Sequence, residues 1–275
     1  MAFARRHHGD SRRLAVRRRR PAVKAAGVQV ERWEAEPLLD HLRETVVEAD
    51  AGEPAVAIGS INLDHLHHFG EGRIELQNEP EESGVDWIML ADGAPIAGHA
   101  SRVTSLEWPR LTGADLLPDI LALAEEQGLT VGFLGGTPSS HENLRPVLAT
   151  RYPDLPPAKF WSPEREVIDS FEGSEALAEE IRLAGVDVLN VALGKPRQEI
   201  WIHDYGDATG ARLLLAFGAS ADFLAGQVSR APEWVRGAGL EWFYRLLQEP
   251  QRLAKRYLVQ GPPAWAKWRR ARRVR

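Results

Sequence analysis

The chain has 275 residues, 44% of them hydrophobic, and no cysteine. That suits one large α/β domain, alone or with an appendage, and excludes wholesale disorder, disulfides, thiolate catalysis, zinc–thiolate sites and iron–sulfur clusters. The net charge of −5 hides an asymmetry: residues 1–24 hold nine basic residues against Asp10, residues 251–275 hold nine and no acid, and the middle is strongly acidic.

Residues 1–27 read as a basic, disordered tail: Arg-rich, interrupted by Pro21, with no apolar period. It lacks the apolar stretch of a secretory signal, and no run of 18 apolar residues follows anywhere, so no membrane span is expected. From Glu34 to Ala49, Leu38, Leu39, Leu42, Val46 and Val47 fall at helical spacing. Ala55–Ile61 and Val85–Ala91 then read as apolar strands, the second ending at Asp92-Gly93. Leu116–Ala124 is a helix. Leu129–Leu134 is a strand running into Gly135-Gly136-Thr137-Pro138. His141–Tyr152 (helix), Ala158–Trp161 (short strand), Ser174–Ala184 (helix) and Val186–Leu193 (strand) continue the alternation. The sequence Gly194-Lys195-Pro196-Arg197-Gln198-Glu199 then leads into a helix to Tyr205, and Ala211–Phe217 is a last strand.

Apolar strands alternating with helices predict an α/β fold, a Rossmann-like, mostly parallel sheet flanked by helices over residues 28–226. Ligands of such sheets lie beyond the C-terminal ends of the strands, where Asp92-Gly93, Gly135-Gly136 and the 194–199 loop are all expected. Residues 227–260, rich in Trp, Arg and Glu, read as a C-terminal helical appendage with a helix starting at Pro250. Residues 261–275 read as a second basic tail.

Asp92, at a strand end, has the position of a general base, although an aspartate before glycine also serves as a turn residue. Gly135 and Gly136 let a nucleotide approach the backbone, but the loop is neither a P-loop nor GxGxxG. Asp64, His65, His67 and His68 form the densest imidazole cluster, read as core or solvated histidines rather than metal ligands. No two aspartates stand at DxD spacing, so the cradle for a metal-bound diphosphate is missing. Arginine is the alternative partner for a diphosphate. Trp242, Arg245, Glu249, Arg252 and Arg256 follow one another three or four residues apart, one stripe of a helical surface or the solvated face of an amphipathic helix pair. Tryptophan interleaved with arginine suits a membrane interface as well as a core face.

These motifs, over residues 28–260, resemble the WecG/TagA/CpsF glycosyltransferases of bacterial surface-polymer assembly. The resemblance is carried by Gly194–Glu199 (the family's GxPxQE) and by ADFLAG, RAPEW, GLEWFYRL and EPQRLAKRY, in that order, between Phe217 and Tyr257. It implies an inverting, metal-independent transfer, with no cofactor, from a UDP-sugar donor to a polyprenyl-diphosphate-linked sugar acceptor. The donor sugar implied is N-acetylmannosamine or a related one. By position, Asp92 matches the family's DG motif as the base, and Ser60 and Asn62 match its TxN motif with serine for threonine. Arg110 and Gln198 match polar pocket residues, and Asp222 lies in ADFLAG. Arg245, Arg252 and Arg256 match the arginines that close over the diphosphate. The place implied is cytoplasmic, peripheral at the inner face of the cell membrane.

Three other readings compete. A nucleotide-dependent oxidoreductase would carry GxGxxG and a later acid, and neither is found. A nucleic-acid-binding α/β protein would use the two basic ends, since an acidic body offers no broad basic face. A family-like pseudoenzyme would be expected to have lost Asp92, Asn62 and Gln198, all of which are kept.

Overall fold

A computed structural model describes residues 20–47, 53–70, 84–226, 231, 232, 234, 235 and 240–274, the Arg252 side chain excepted. The chain opens with an antiparallel hairpin, Ala22–Ala25 (β1) and Val28–Glu31 (β2), turned through Ala26 and Gly27 at φ 53° and 88°. Then come Ala35–Val47 (α1), Ala55–Ile61 (β3), Leu63–Phe69 (α2), Val85–Ala91 (β4), Ala94–Thr104 (α3), Gly113–Glu126 (α4) and Val131–Gly135 (β5). Pro138–Arg151 (α5), Lys159–Trp161 (β6), Arg165–Asp169 (α6), Phe171–Leu183 (α7), Val188–Ala192 (β7), Arg197–Tyr205 (α8), Leu213–Ala216 (β8) and Ser220–Leu224 (α9) complete the alternating part. Glu241–Gln248 (α10), Pro250–Ala254 (α11), a wider helical turn over Lys255–Gln260, Gly261–Trp268 (α12) and Arg272–Arg273 (β9) end the chain.

The nine strands form one sheet in the order β6-β5-β7-β8-β3-β4-β2-β1-β9. Pairing is parallel from β6 to β2, and antiparallel only where β1 meets β2 and β9. This is the expected mixed α/β, mostly parallel sheet. Its central strands are mostly apolar because both faces are covered, with Ser60, Asp86 and Asn190 as the polar exceptions in β3, β4 and β7. On one face Ile58, Ile88, Phe133, Val188 and Leu215 pack under Leu38 and Leu42 of α1, Leu116 and Ile120 of α4, and Leu144 of α5. On the other, Ala57, Met89, Leu189 and Leu214 pack under Leu66 of α2, Ile96 of α3, Ile181 of α7, Trp201 of α8 and Trp268 of α12. The C-terminal ends of β3, β4, β5, β7 and β8 therefore share one edge.

Two sequence expectations need correction. Of the tail expected over residues 1–27, residues 1–19 lie outside the described residues, but Ala22–Ala25 is a strand, with Val23 buried: its short apolar stretch pairs with β2 on one side and β9 on the other. Residues 261–275, expected as a basic tail, hold α12 and β9. Trp268 is fully buried, its Nε1 donating to the Ile96 carbonyl at 3.3 Å, and Arg272 and Arg273 pair with β1. The charges there lie outward on elements whose apolar residues point inward. The expected start of a helix at Pro250 is observed.

Candidate active site

The end of β3 supplies a compact hydrogen-bonded corner. Asn62 caps α2, its side-chain Oδ1 accepting from the His65 backbone N–H at 3.1 Å. This leaves the amide Nδ2 to donate to Asp92 Oδ2, also at 3.1 Å. Asp92 follows β4, and its backbone N–H donates to the Ile61 carbonyl at 2.8 Å, fixing the two strand ends together. Gly93 then turns the chain at φ 92° into α3. Asp92 is crowded by neighbouring groups, yet the residue is half-buried rather than closed off at the C-terminal edge of the sheet. Loss of water around it raises its pKa above the ordinary carboxylate value. The Asn62 hydrogen bond and the charges of Lys195, Arg110 and Arg256 oppose that rise. A carboxylate with a raised pKa and one oxygen held by a neutral donor is suited to accept a proton with the other.

Beneath this corner lies an ion pair. Lys195 Nζ donates to the Ser60 carbonyl at 2.9 Å and to Glu199 Oε1, and lies 3.4 Å from His65 Nδ1. Glu199 is fully buried and also accepts from Gln198 Nε2 at 3.2 Å. Burial, with Lys195 alongside, pushes the His65 pKa well below its usual value, so this ring stays neutral and its Nδ1 can accept a hydrogen bond from the lysine. Gln198, expected in the substrate pocket, is 2% exposed, and its amide N–H also donates to the Ala216 carbonyl at 2.8 Å. The Gly194–Glu199 segment thus ties β7, β8 and β3 together under the site.

Cations from later in the chain reach the same corner. Arg256 Nε is 3.3 Å from Asp64 Oδ2, and Asp64 is also 3.6 Å from His68 Nε2. Arg110 donates from Nη1 to Glu241 Oε2 of α10 at 3.0 Å, with Nη2 3.9 Å from Asp115. Ser60, Asn62, Asp92, Arg110, Gln198 and Arg256 therefore gather at the ends of β3 and β4. Gly135, Gly136 and Asp222 do not join them: they line a cleft beyond β5 and β7, with His141, Asn190 and Gly218. Gly218, beside Gln198, links the two places. Arg245 lies against α9, its guanidinium 5.3 Å from the Phe223 ring centre and its Nε buried without a hydrogen bond among the described residues. The Arg252 side chain lies outside the described residues. Among the described residues no three histidine, aspartate or glutamate side chains are placed to hold a metal ion.

Residues 23–275 match the family model described as the glycosyl transferase WecG/TagA/CpsF family. The chain belongs to that family. It is a glycosyltransferase of a family that acts in cell-surface polymer synthesis. The match begins inside β1 and runs past β9, so the hairpin and α12 lie within the part shared with the WecG/TagA/CpsF proteins, beyond the 28–260 stretch where motifs are visible. Sequence reasoning missed Lys195 and Glu199 as a pair, Asp64 as the partner of Arg256, Glu241 as the partner of Arg110, and Asn190. For Lys195 and Glu199 the signal was present: an acid four residues after a lysine at a strand–helix junction shares its helical face. Asn190 is the one polar residue inside the run Val188–Ala192.

Proposed function

We propose that the protein is an inverting glycosyltransferase that moves a sugar, N-acetylmannosamine or a related one, from a UDP-sugar to a polyprenyl-diphosphate-linked acceptor. The observation that carries this reading is the Asn62–Asp92 pair. A half-buried carboxylate with a raised pKa stands at the C-terminal edge of the sheet, within the field of Lys195, Arg110 and Arg256. In the proposed step the acceptor hydroxyl attacks the anomeric carbon from the face opposite the diphosphate. Its proton passes to the Asp92 oxygen not held by Asn62, the glycosidic bond forms, and the sugar–phosphate bond breaks. The leaving UDP takes the electron pair, and its charge is met by arginine rather than by a metal ion. The buried, unpartnered Nε of Arg245 and the approach of Arg256 to Asp92 support that role.

The separation between the cleft beyond β5 and β7 and the Asp92 corner supports an extended donor. β4 and β5 are separated by β3, β8 and β7, about 19 Å at ordinary strand spacing. A nucleotide beyond β5, at Gly135 and Gly136, would direct its diphosphate and sugar towards Asp92. A peripheral place on an anionic cytoplasmic membrane face is supported by exposed apolar side chains near basic ones: Trp234, Trp242, Phe243, Leu247, Leu258 and Val259. No described helix is long and apolar enough to cross a membrane. The test is a panel of UDP-, GDP- and TDP-sugars, first for protection against thermal unfolding and then for transfer to a lipid-linked acceptor. Protection by UDP-sugars with transfer from one of them is expected. Protection by none, or transfer from a different nucleotide class alone, would overturn the donor assignment.

A further inference from the structure

We propose that Lys195 is a positioning residue for the reaction: from beneath the site it holds the Ser60–His65 corner by which Asn62 orients Asp92, and it keeps a fixed positive charge near that carboxylate. This rests on the reading above, that Asp92 is the base, and it deepens that reading by naming what keeps the base in place and ionised.

A lysine in a loop at the C-terminal edge of such a sheet is placed to meet a phosphate. Here the geometry argues otherwise. The Lys195 side chain is 9% exposed. An ammonium has three N–H donors, and three acceptors surround this one: the Ser60 carbonyl at 2.9 Å, a Glu199 carboxylate oxygen, and His65 Nδ1 at 3.4 Å. No donor is left over for a ligand. Arg110 and Arg256, the other cations that act on Asp92, are each about a quarter exposed and remain the ones placed to meet a diphosphate.

The partners of Lys195 give it its role. Ser60 and His65 bracket Asn62, whose Oδ1 accepts from the His65 N–H and whose Nδ2 donates to Asp92. The next carbonyl along β3, that of Ile61, accepts from the Asp92 N–H. Lys195 thus grips both ends of the segment that holds the base by its side chain and by its backbone. Its charge acts with that grip, because a nearby cation favours the ionised carboxylate. The other ionisable groups around the lysine are Glu199 from α8 and, from α2, His65, with His68 and Asp64 beyond it. His65 is neutral, so Glu199 is the counter-ion. A buried ion pair adds little to stability over apolar residues of similar size, so stability alone does not account for this one.

The test is carbon-13 NMR of the full chain with its aspartate carboxyls labelled, followed across pH, with Asp92 assigned as the signal that Asp92→Asn removes. Lys195→Met alone strands a buried carboxylate and is expected to destabilise the fold. The decisive variant is therefore Lys195→Met with Glu199→Gln, which leaves neither charge of the pair behind. It should unfold near the native temperature, and its Asp92 should titrate at higher pH than in the native protein. Glu199→Gln alone should not raise the Asp92 titration, since the lysine stays protonated where a carboxyl titrates. Transfer by the double variant should fall on its pH plateau by roughly 10–10²-fold with the donor KM little changed, the scale of loss when a reacting group is displaced by about 1 Å. An Asp92 titration unchanged in the double variant, or one raised equally by Glu199→Gln alone, would overturn the inference. So would native plateau transfer by the double variant. Transfer at the native rate by Asp92→Asn would remove the reading of Asp92 as base, and this inference with it. Transfer that needs Asp92 while its titration ignores residue 195 removes this inference alone.

Discussion

Replacing Asn62 with alanine removes two hydrogen bonds whose consequences separate with pH. The first is the cap of α2, Oδ1 to the His65 N–H, worth about 1 kcal/mol at any pH. The second is Nδ2 to the Asp92 carboxylate. A bond to a charged group contributes about 1.5–3 kcal/mol, here towards the low end because Asp92 is only half-buried. The second bond acts only while Asp92 is ionised. Burial already lifts the Asp92 pKa above its unfolded value, and Asn62 pulls it back. Losing Asn62 lifts it further. A carboxyl whose folded pKa is raised holds its proton more tightly in the folded state. Its cost to stability is thus full above the folded pKa and vanishes below the unfolded one. Asn62→Ala should therefore lose about 1 kcal/mol near pH ~3.5 and about 2.5 kcal/mol or more at neutral pH. The acid limb of kcat/KM should move to higher pH, since the base must be ionised. Asn62→Ser keeps a cap but is too short to hold Asp92, so it should move the limb with a smaller loss of stability. Urea unfolding at the two pH values and a pH–rate profile measure both effects. Equal losses at both pH values, or an acid limb that stays in place in both variants, would refute the reasoning.

Trp268→Ala should cost about 3–5 kcal/mol in urea unfolding, because the ring is fully buried against α3, whereas alanine at the exposed Arg269 and Arg270 should be near neutral. A near-neutral Trp268→Ala would return the C-terminus to the status of a tail. Serine at Trp242, Phe243 and Leu247 together should weaken binding to anionic vesicles and leave transfer to a soluble acceptor analogue largely intact; unchanged vesicle binding would argue against this surface as the membrane face. Transfer should survive excess EDTA. Loss of turnover restored by magnesium or manganese would mean that a cation, not arginine, meets the diphosphate.

The strands that build the site were the most legible part of the chain. Ala55–Ile61 and Val85–Ala91 have the bounds expected of them, because each is a mostly apolar run covered on both faces, interrupted only by Ser60 and Asp86. α3 was hidden because Ala94–Thr104 contains Pro95, Gly98, Ile96 and Val103, all poor local signals that packing on β1 and α12 overrides. α2 was hidden behind its histidines: Leu66 and Phe69 carry the burial, His65 is a neutral core ring, and Asp64 serves Arg256. Long charge runs concealed β1 and α12, since charge reports only the outward face of a two-sided element. At the site, strand ends predicted position well, bringing Asp92, Asn62 and Ser60 together. They did not predict which groups lie under the floor. Gln198 is turned into the protein by the Ala216 carbonyl, and the Lys195–Glu199 pair forms only when β7 and β3 are brought within reach by β8.

The central claim is that Asp92 takes the acceptor's proton, and one substitution addresses it directly. Asp92→Asn keeps the shape of the side chain and removes the carboxylate. The measurement is single-turnover transfer to a lipid-linked acceptor, with donor affinity determined on the same preparation. The account predicts a fall in transfer of about 10²–10⁴-fold with UDP-sugar affinity little changed. An Asp92→Asn enzyme that transfers at the native rate would contradict it.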